Sequence, residues 1–168
     1  LLMQTIKQKW LSVYVENEVG VLARVSGLFS GKLYNLNSLT VGETEVKDIS
    51  RMTISLFSDE RTFEQIKHQL SNMIEVIQVI DYTDIPIHTK EVMYVKLPYY
   101  ESLENDLNGL TQANRFIIID QTTDQMLIEC INTDAQNNQL ITDLQQSISQ
   151  EIEVIRGGSV AIASLIKE

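Results

Sequence analysis

Hydrophobic and polar residues alternate with a period of two near the start of the chain. Within residues 9–16, Leu11, Val13 and Val15 alternate with polar or aromatic neighbours, which is typical of a half-buried strand with these three side chains facing inward. Over residues 20–32 the spacing changes, and apolar side chains recur at intervals of one, three and four. This second pattern predicts an amphipathic helix.

The same two periodicities divide the rest of the chain into further strands and helices. A polar stretch at 43–48 between two predicted strands indicates a hairpin with a long tip, and Asp59 is predicted to cap the second helix. Beyond the first strand and helix, the predicted elements are strands at 35–42 and 50–58, a helix after Asp59, a strand at 76–82, a strand at 91–97, a helix at 101–112, strands at 115–120 and 126–132, a helix at 134–149 and a strand at 152–160.

The order strand, helix, strand, strand, helix, strand therefore occurs twice. This βαββαβ order is that of a ferredoxin-like unit, in which helices cover one face of an antiparallel sheet. Between the two units, residues 84–88 include Pro86, one of only two prolines in the chain, and mark a domain boundary. We therefore predict an α+β fold with two domains, at 9–83 and 84–168.

Composition and charge narrow the classes of function. The 168 residues carry a formal net charge of −10 with a pI near 4.6, so the surface repels nucleic-acid phosphate and anionic lipid.

No apolar run approaches the roughly 20 residues that span a bilayer. The first eight residues are too short for a signal peptide and are interpreted as a tail. The single cysteine, Cys130, is typical of a reducing compartment, so we expect a cytoplasmic protein.

The turn between the first strand and the first helix is the best candidate for a ligand site. It holds Asn17 and Gly20, and the first N–H groups of the helix carry the positive end of the helix dipole, roughly +0.5 of a charge. A carboxylate suits such a place, and Val19, Val21 and Leu22 offer an apolar wall to a small ligand. The alternative is that Asn17 only caps the helix and Gly20 only eases the turn.

Three segments are more specific than these general patterns. They are ENEVGVLARVSGLFS from Glu16, YNLNSLTVGETE from Tyr34 and ISRMTI from Ile49. Together they resemble the regulatory small subunit of acetohydroxyacid synthase, also called acetolactate synthase. The resemblance covers nearly the whole chain, and it implies an N-terminal ACT domain followed by a family-specific C-terminal domain.

The resemblance also implies a function. Members of this family activate a separate catalytic subunit and confer feedback inhibition by valine, or in some members by leucine or isoleucine. The ACT domain pairs with a second copy as a homodimer, and the effector binds at the interface. The regulatory chain has no chemistry of its own, since thiamine diphosphate, FAD and magnesium are held by the catalytic subunit, which condenses two pyruvates or pyruvate with 2-oxobutyrate.

The family's effector-binding positions can be carried over onto this sequence. The effector loop then consists of Asn17, Gly20, Val21, Leu22 and Ala23, with Asn35 as the facing polar residue. The chain departs from the family pattern at Lys32 and Leu33, where members place an Arg-Gly pair, and at 163–165, where the usual Ser-Arg-Gly tail is Ala-Ser-Leu. The first departure bears on how Asn35 is aimed. The alternative for Asn35 is that it only ends the first helix in a left-handed residue.

Other candidates for chemistry are few. Cys130 lies in an apolar strand without a neighbouring histidine or cation, so we interpret it as a core residue, and His68 is expected on the surface. No phosphate-binding glycine loop, zinc spacing or catalytic triad is present in the sequence. Two other classes stay open: an ACT-type amino-acid sensor that regulates another enzyme or transcription, and a stand-alone enzyme acting on 2-oxo acids. The acidic surface disfavours DNA binding.

Overall fold

A computed structural model of the chain describes residues 5–31, 34–103, 105, 107, 110 and 116–166. The chain forms two compact units, of which the first contains residues up to 88 together with those from 161 onward, and the second contains residues 89–160. Each unit is built on a four-stranded sheet. The predicted α+β class is confirmed.

The first unit contains four strands and two helices in the predicted order. They are β1 (Lys7–Glu16), α1 (Val21–Gly31), β2 (Leu36–Glu43), β3 (Ile49–Ser58), α2 (Glu60–Ser71) and β4 (Val76–Asp81). The strand order is β2-β3-β1-β4, with β1 antiparallel to both β3 and β4. This is the sheet of a ferredoxin-like unit, as the sequence predicts.

One face of this first sheet is buried in a hydrophobic core. Leu11, Val13 and Val15 of β1 are essentially inaccessible to solvent, which confirms the predicted inward face. They share the core with the buried face of α2. Asp59 caps α2 as predicted, because its side chain accepts a hydrogen bond from the Thr62 backbone N–H at 3.0 Å. That bond holds the pKa of the Asp59 carboxyl below its usual value.

The second unit repeats the pattern with a second sheet. Its elements are β5 (Ile87–Pro98), β6 (Phe116–Gln121), β7 (Gln125–Asn132), α3 (Asp134–Ser147) and β8 (Glu153–Ala163), in the strand order β6-β7-β5-β8. Of the helix predicted at 101–112, Leu103, Asn105, Leu107 and Leu110 are helical. Leu103 and Leu107 are buried in the core as their spacing predicts. Residues 104, 106, 108, 109, 111 and 112 lie outside the described residues.

Two strands are longer than predicted at the ends that belong to the first unit. β5 begins at Ile87 rather than at Glu91, and β8 ends at Ala163 rather than at Val160. Both extensions have the same cause, because Ile87 and Ala163 pack on a small cluster formed by Trp10, Tyr82 and Ala161. Contacts between residues far apart in sequence therefore extend strands whose local pattern had ended.

A buried polar network joins β5 and β8 in the second unit. The Glu91 side chain is only 4% exposed and accepts hydrogen bonds from Arg156 Nε at 2.9 Å and Nη2 at 2.7 Å. Asn137 Nδ2 donates to the same carboxylate at 3.0 Å, and Asn132 donates to Asn137. Because a buried carboxylate is stable only when it is paired, these residue identities are tightly constrained.

Replacing Glu91 by glutamine is expected to lower the free energy of unfolding by about 2 kcal/mol, because the buried amide cannot accept all the hydrogen bonds that Arg156 and Asn137 donate to the carboxylate. Urea unfolding followed by circular dichroism measures this loss. Glu153→Gln is the matched control, since it removes an ion pair to Lys96 in which both side chains are about half exposed, and it should cost less than about 1 kcal/mol. Equal losses for the two variants would contradict a structural role for the network.

Candidate functional site

The turn between β1 and α1 is built around Gly20. Gly20 has φ = +87°, a left-handed conformation that residues with a Cβ rarely adopt. It lets the chain enter the first turn of α1, where the Val21 N–H donates to Glu18 O at 3.3 Å. In the part of the chain that the structure describes, the N–H groups of Leu22 and Ala23 have no acceptor. They are therefore available to an anion at the positive end of the helix dipole.

The Asn17 side chain bonds to the β2–β3 hairpin and not to the start of α1. Its Nδ2 donates to Glu43 Oε1 and to Lys47 O, each at 3.1 Å, and its Oδ1 accepts from Ser50 Oγ at 3.0 Å. Its backbone N–H donates to Asp48 O at 2.9 Å. The alternative in which Asn17 serves only as a helix cap is therefore wrong for this arrangement, because Oδ1, the atom that would accept from the start of α1, accepts from Ser50 in the described part of the chain.

The predicted effector loop presents two kinds of surface. Leu22 and Ala23 have exposed side chains, and Val19 is fully exposed. The Val21 side chain is only 2% exposed and belongs to the core of the first unit. The side chain of Val21 is therefore not part of the expected apolar wall, because α1 turns that residue toward β1. The backbone of Val21 stays at the site.

Asn35 lies immediately before β2 and is exposed. The preceding residue, Tyr34, is anchored, since its N–H donates to Phe29 O at 3.0 Å and the two rings meet edge to face with centroids 6.5 Å apart. Lys32 and Leu33, where the sequence departs from the family pattern, lie outside the described residues. Asn35 therefore follows an anchored aromatic residue. It lies at the opposite end of α1 from Gly20.

Two charged residues beside the loop were not predicted as part of it. Arg24 forms an ion pair with Glu75, with 2.5 Å between Nε and Oε1, and its Nη1 would lie 3.2 Å from a Cβ built on Gly20. Glu43 accepts from Asn17 as described above. Sequence reasoning missed both because their partners are distant in the chain, although Arg24 and Glu43 each lie inside one of the three family-like segments.

The remaining candidates for chemistry have structural positions. Cys130 is buried as predicted, and burial raises the pKa of its thiol to about 11, so it is a poor nucleophile. His68 is exposed as predicted. Among the described residues, no group of three or more histidine, cysteine, aspartate or glutamate side chains is arranged to hold a metal ion. The described part of the chain also contains no helix with the length and apolarity needed to cross a membrane.

Comparisons with known proteins agree with this architecture. Residues 11–78 match the family model described as the AHAS small subunit-like ACT domain, and residues 90–165 match that of the small subunit of acetolactate synthase. The chain belongs to the acetolactate synthase small-subunit family.

Individual members of this family match nearly end to end. The acetolactate synthase small subunit of Buchnera aphidicola is 34% identical over 94% of this chain and 98% of its own length. The small subunit of acetolactate synthase isozyme 3 from Escherichia coli is 33% identical over 91% of this chain and 93% of its own. The crystal structure of the Thermotoga maritima acetolactate synthase small subunit superposes with a TM-score of 0.84 at 29% identity, covering 96% of this chain and 99% of that one.

The Asn17 amide of this ACT domain donates to both sides of the hairpin tip, at Glu43 and at Lys47. Asn17→Asp should loosen residues 44–48, because the new carboxylate faces Glu43 and the Lys47 carbonyl, two acceptors that it cannot satisfy. Faster amide hydrogen exchange at 44–48 measures this change.

The double variant Asn17→Asp with Glu43→Gln serves as the matched control. In it the glutamine amide can donate to the new aspartate, so protection of the hairpin tip should return toward that of the parent chain. Unchanged exchange in the single variant would show that these bonds do not hold the tip.

Proposed function

We propose that the chain is a cytoplasmic regulatory subunit of an acetolactate synthase, which activates a separate catalytic subunit and confers feedback inhibition by valine in branched-chain amino-acid biosynthesis. The observation that carries the proposal is the match of both units of the chain to this family, with relatives aligned over more than nine-tenths of its length. The geometry of the turn before α1 supports the effector site.

A free amino acid has the chemistry that this turn can accept. Its carboxylate would take hydrogen bonds from the N–H groups of Leu22 and Ala23, where the helix dipole favours negative charge. Its ammonium group would donate to Asn17 Oδ1, which keeps one lone pair after accepting from Ser50. A branched aliphatic side chain would then pack on the exposed apolar surface of Leu22 and Val19.

The remaining face of the effector would come from a second copy of the chain. We place the homodimer at the ACT domain, with Asn35 as the polar residue that faces the loop. The exposure of Leu22, Ala23 and Asn35 supports this, because a single copy leaves the loop open to solvent while an effector of this size needs to be enclosed.

The chain acts on the reaction only through its partner. Thiamine diphosphate, FAD and magnesium are assigned to the catalytic subunit, and this chain contributes binding and regulation. Valine inhibits only if it binds the inhibitory arrangement more tightly than the activating one, and coupling free energies of about 1–3 kcal/mol are typical of such systems.

Calorimetry with valine, leucine and isoleucine on the purified chain tests the effector assignment. Valine is expected to bind most tightly, because the apolar surface at Leu22 and Val19 suits a short branched side chain. The same preparation should raise the activity of the catalytic subunit in the absence of effector. A chain that binds none of the three amino acids and does not activate the catalytic subunit would contradict the proposal.

Gly20→Asp should abolish valine inhibition while activation of the catalytic subunit remains. The substitution introduces a Cβ at a left-handed φ, against Arg24, and a negative charge where the effector carboxylate is placed. A loss of affinity of about 100-fold or more is expected if a like charge meets the carboxylate. Inhibition curves of the reconstituted holoenzyme measure this loss.

Gly27→Asp is the matched control for this variant. Gly27 lies on the same helix, and a Cβ there would meet nothing within 4 Å, so this variant should keep wild-type inhibition. If Gly20→Asp also kept wild-type inhibition, the effector would bind elsewhere.

A further inference from the structure

Two adjacent residues of β3 contact different parts of the first unit. Ser50 Oγ donates to Asn17 Oδ1 of the effector loop at 3.0 Å, and Arg51 Nη2 donates to the carbonyl oxygen of Ala161 in β8 at 2.6 Å. Because successive side chains of a strand point to opposite faces, the two contacts lie on opposite sides of the sheet. β3 therefore joins the effector loop to the end of β8 within two residues.

The Arg51 guanidinium is held on the sheet in one orientation. Its Nε donates to Ser12 Oγ at 2.7 Å, and its Nη2 also donates to Tyr82 Oη at 3.1 Å. The rings of Tyr14 and Tyr82 each lie 5.7 Å from its central carbon, within the range of cation–π attraction. These contacts fix the guanidinium to the sheet, so it cannot move together with Ala161. A shift of β3 at Arg51 therefore changes the hydrogen bond between Arg51 Nη2 and the Ala161 carbonyl oxygen.

The end of β8 that receives this contact is packed in place. Ala161 is 6% exposed and shares a cluster with Trp10 and Tyr82, and the Ser164 N–H donates to Pro86 O at 2.8 Å. β8 is one uninterrupted strand from Glu153 to Ala163. Its first residues belong to the second unit and its last to the first unit, so a change at Ala161 acts on a strand that continues into the second unit.

We infer that Arg51 is a positioning residue that transmits effector occupancy from the Asn17 loop to β8. This inference rests on the proposed function, since it assigns the route by which that effector acts. An ammonium group that bonds to the second lone pair of Asn17 Oδ1 reorients the amide that accepts from Ser50 Oγ, and β3 carries the change to the next residue. Arg51 itself lies outside the effector site.

Thermodynamic linkage provides the measurement that tests this route. Coupling appears as the ratio of the valine dissociation constants of the isolated chain and of its complex with the catalytic subunit, and typical couplings correspond to roughly 5- to 150-fold. Arg51→Met should bring this ratio to within about twofold of one, while the dissociation constant of the isolated chain changes by less than about threefold. A residue needed only for folding or for binding would not separate these two quantities.

Two further variants accompany Arg51→Met. Tyr82→Phe removes one acceptor of the guanidinium but keeps the ring, and it should lower the coupling ratio to an intermediate value. Arg61→Met makes the same change of charge at an exposed position of α2 and should leave the ratio at its wild-type value. Thermal unfolding establishes that each variant is folded, and Tyr82→Phe decides the question if Arg51→Met does not fold.

Two outcomes would overturn the role of Arg51 alone, and a third would overturn the proposed function as well. A wild-type chain that binds valine and activates the catalytic subunit, together with folded Arg51→Met that keeps the wild-type ratio, overturns the role of Arg51 alone. Loss of valine binding by the isolated Arg51→Met chain also overturns it, because Arg51 would then support the site itself. A wild-type chain that neither binds valine nor activates overturns the proposed function and the route with it.

Discussion

The apolar face of α1 packs in the same core as the inner face of β1, and the two elements are joined by only four residues. Val21, Val25 and Phe29 are buried together with Leu11 and Val13, and burial of such side chains contributes about 1.5–3 kcal/mol each. This packing holds the first turn of α1 at the end of β1, so its unpaired N–H groups stay aimed at one place. Gly20 follows from the same constraint, because the short connection requires a left-handed residue.

The local part of this arrangement could be predicted from sequence. Alternation at Leu11, Val13 and Val15 identifies an inner face without any knowledge of its partners, because the period of a strand is local. Asp59 was equally predictable as a cap, since its hydrogen-bond partner is three residues away. The family-like segments added the predicted positions of an effector loop, which general patterns could not distinguish from an ordinary helix start.

What could not be predicted depends on residues far apart in the chain. The partners of the Asn17 amide lie 26, 30 and 33 residues away, so no local pattern could show that Asn17 bonds to the hairpin. The start of β5 at Ile87 likewise depends on packing with Trp10. Val21 was placed in the ligand wall because it is aliphatic and next to Gly20, and only the direction of α1 shows that its side chain faces the core.

The strengths of these contacts decide which of them an effector can change. Exposed hydrogen bonds such as those of Asn17 contribute only about 0.5–1.5 kcal/mol each, whereas an effector that binds with a dissociation constant of about 1 μM releases about 8 kcal/mol. Binding of the proposed effector can therefore exchange the bonds of Asn17, but the gain is too small to repack a core in which many side chains are buried together. The proposed regulation therefore passes through polar contacts such as those of Asn17, Ser50 and Arg51 and does not require the two cores to repack.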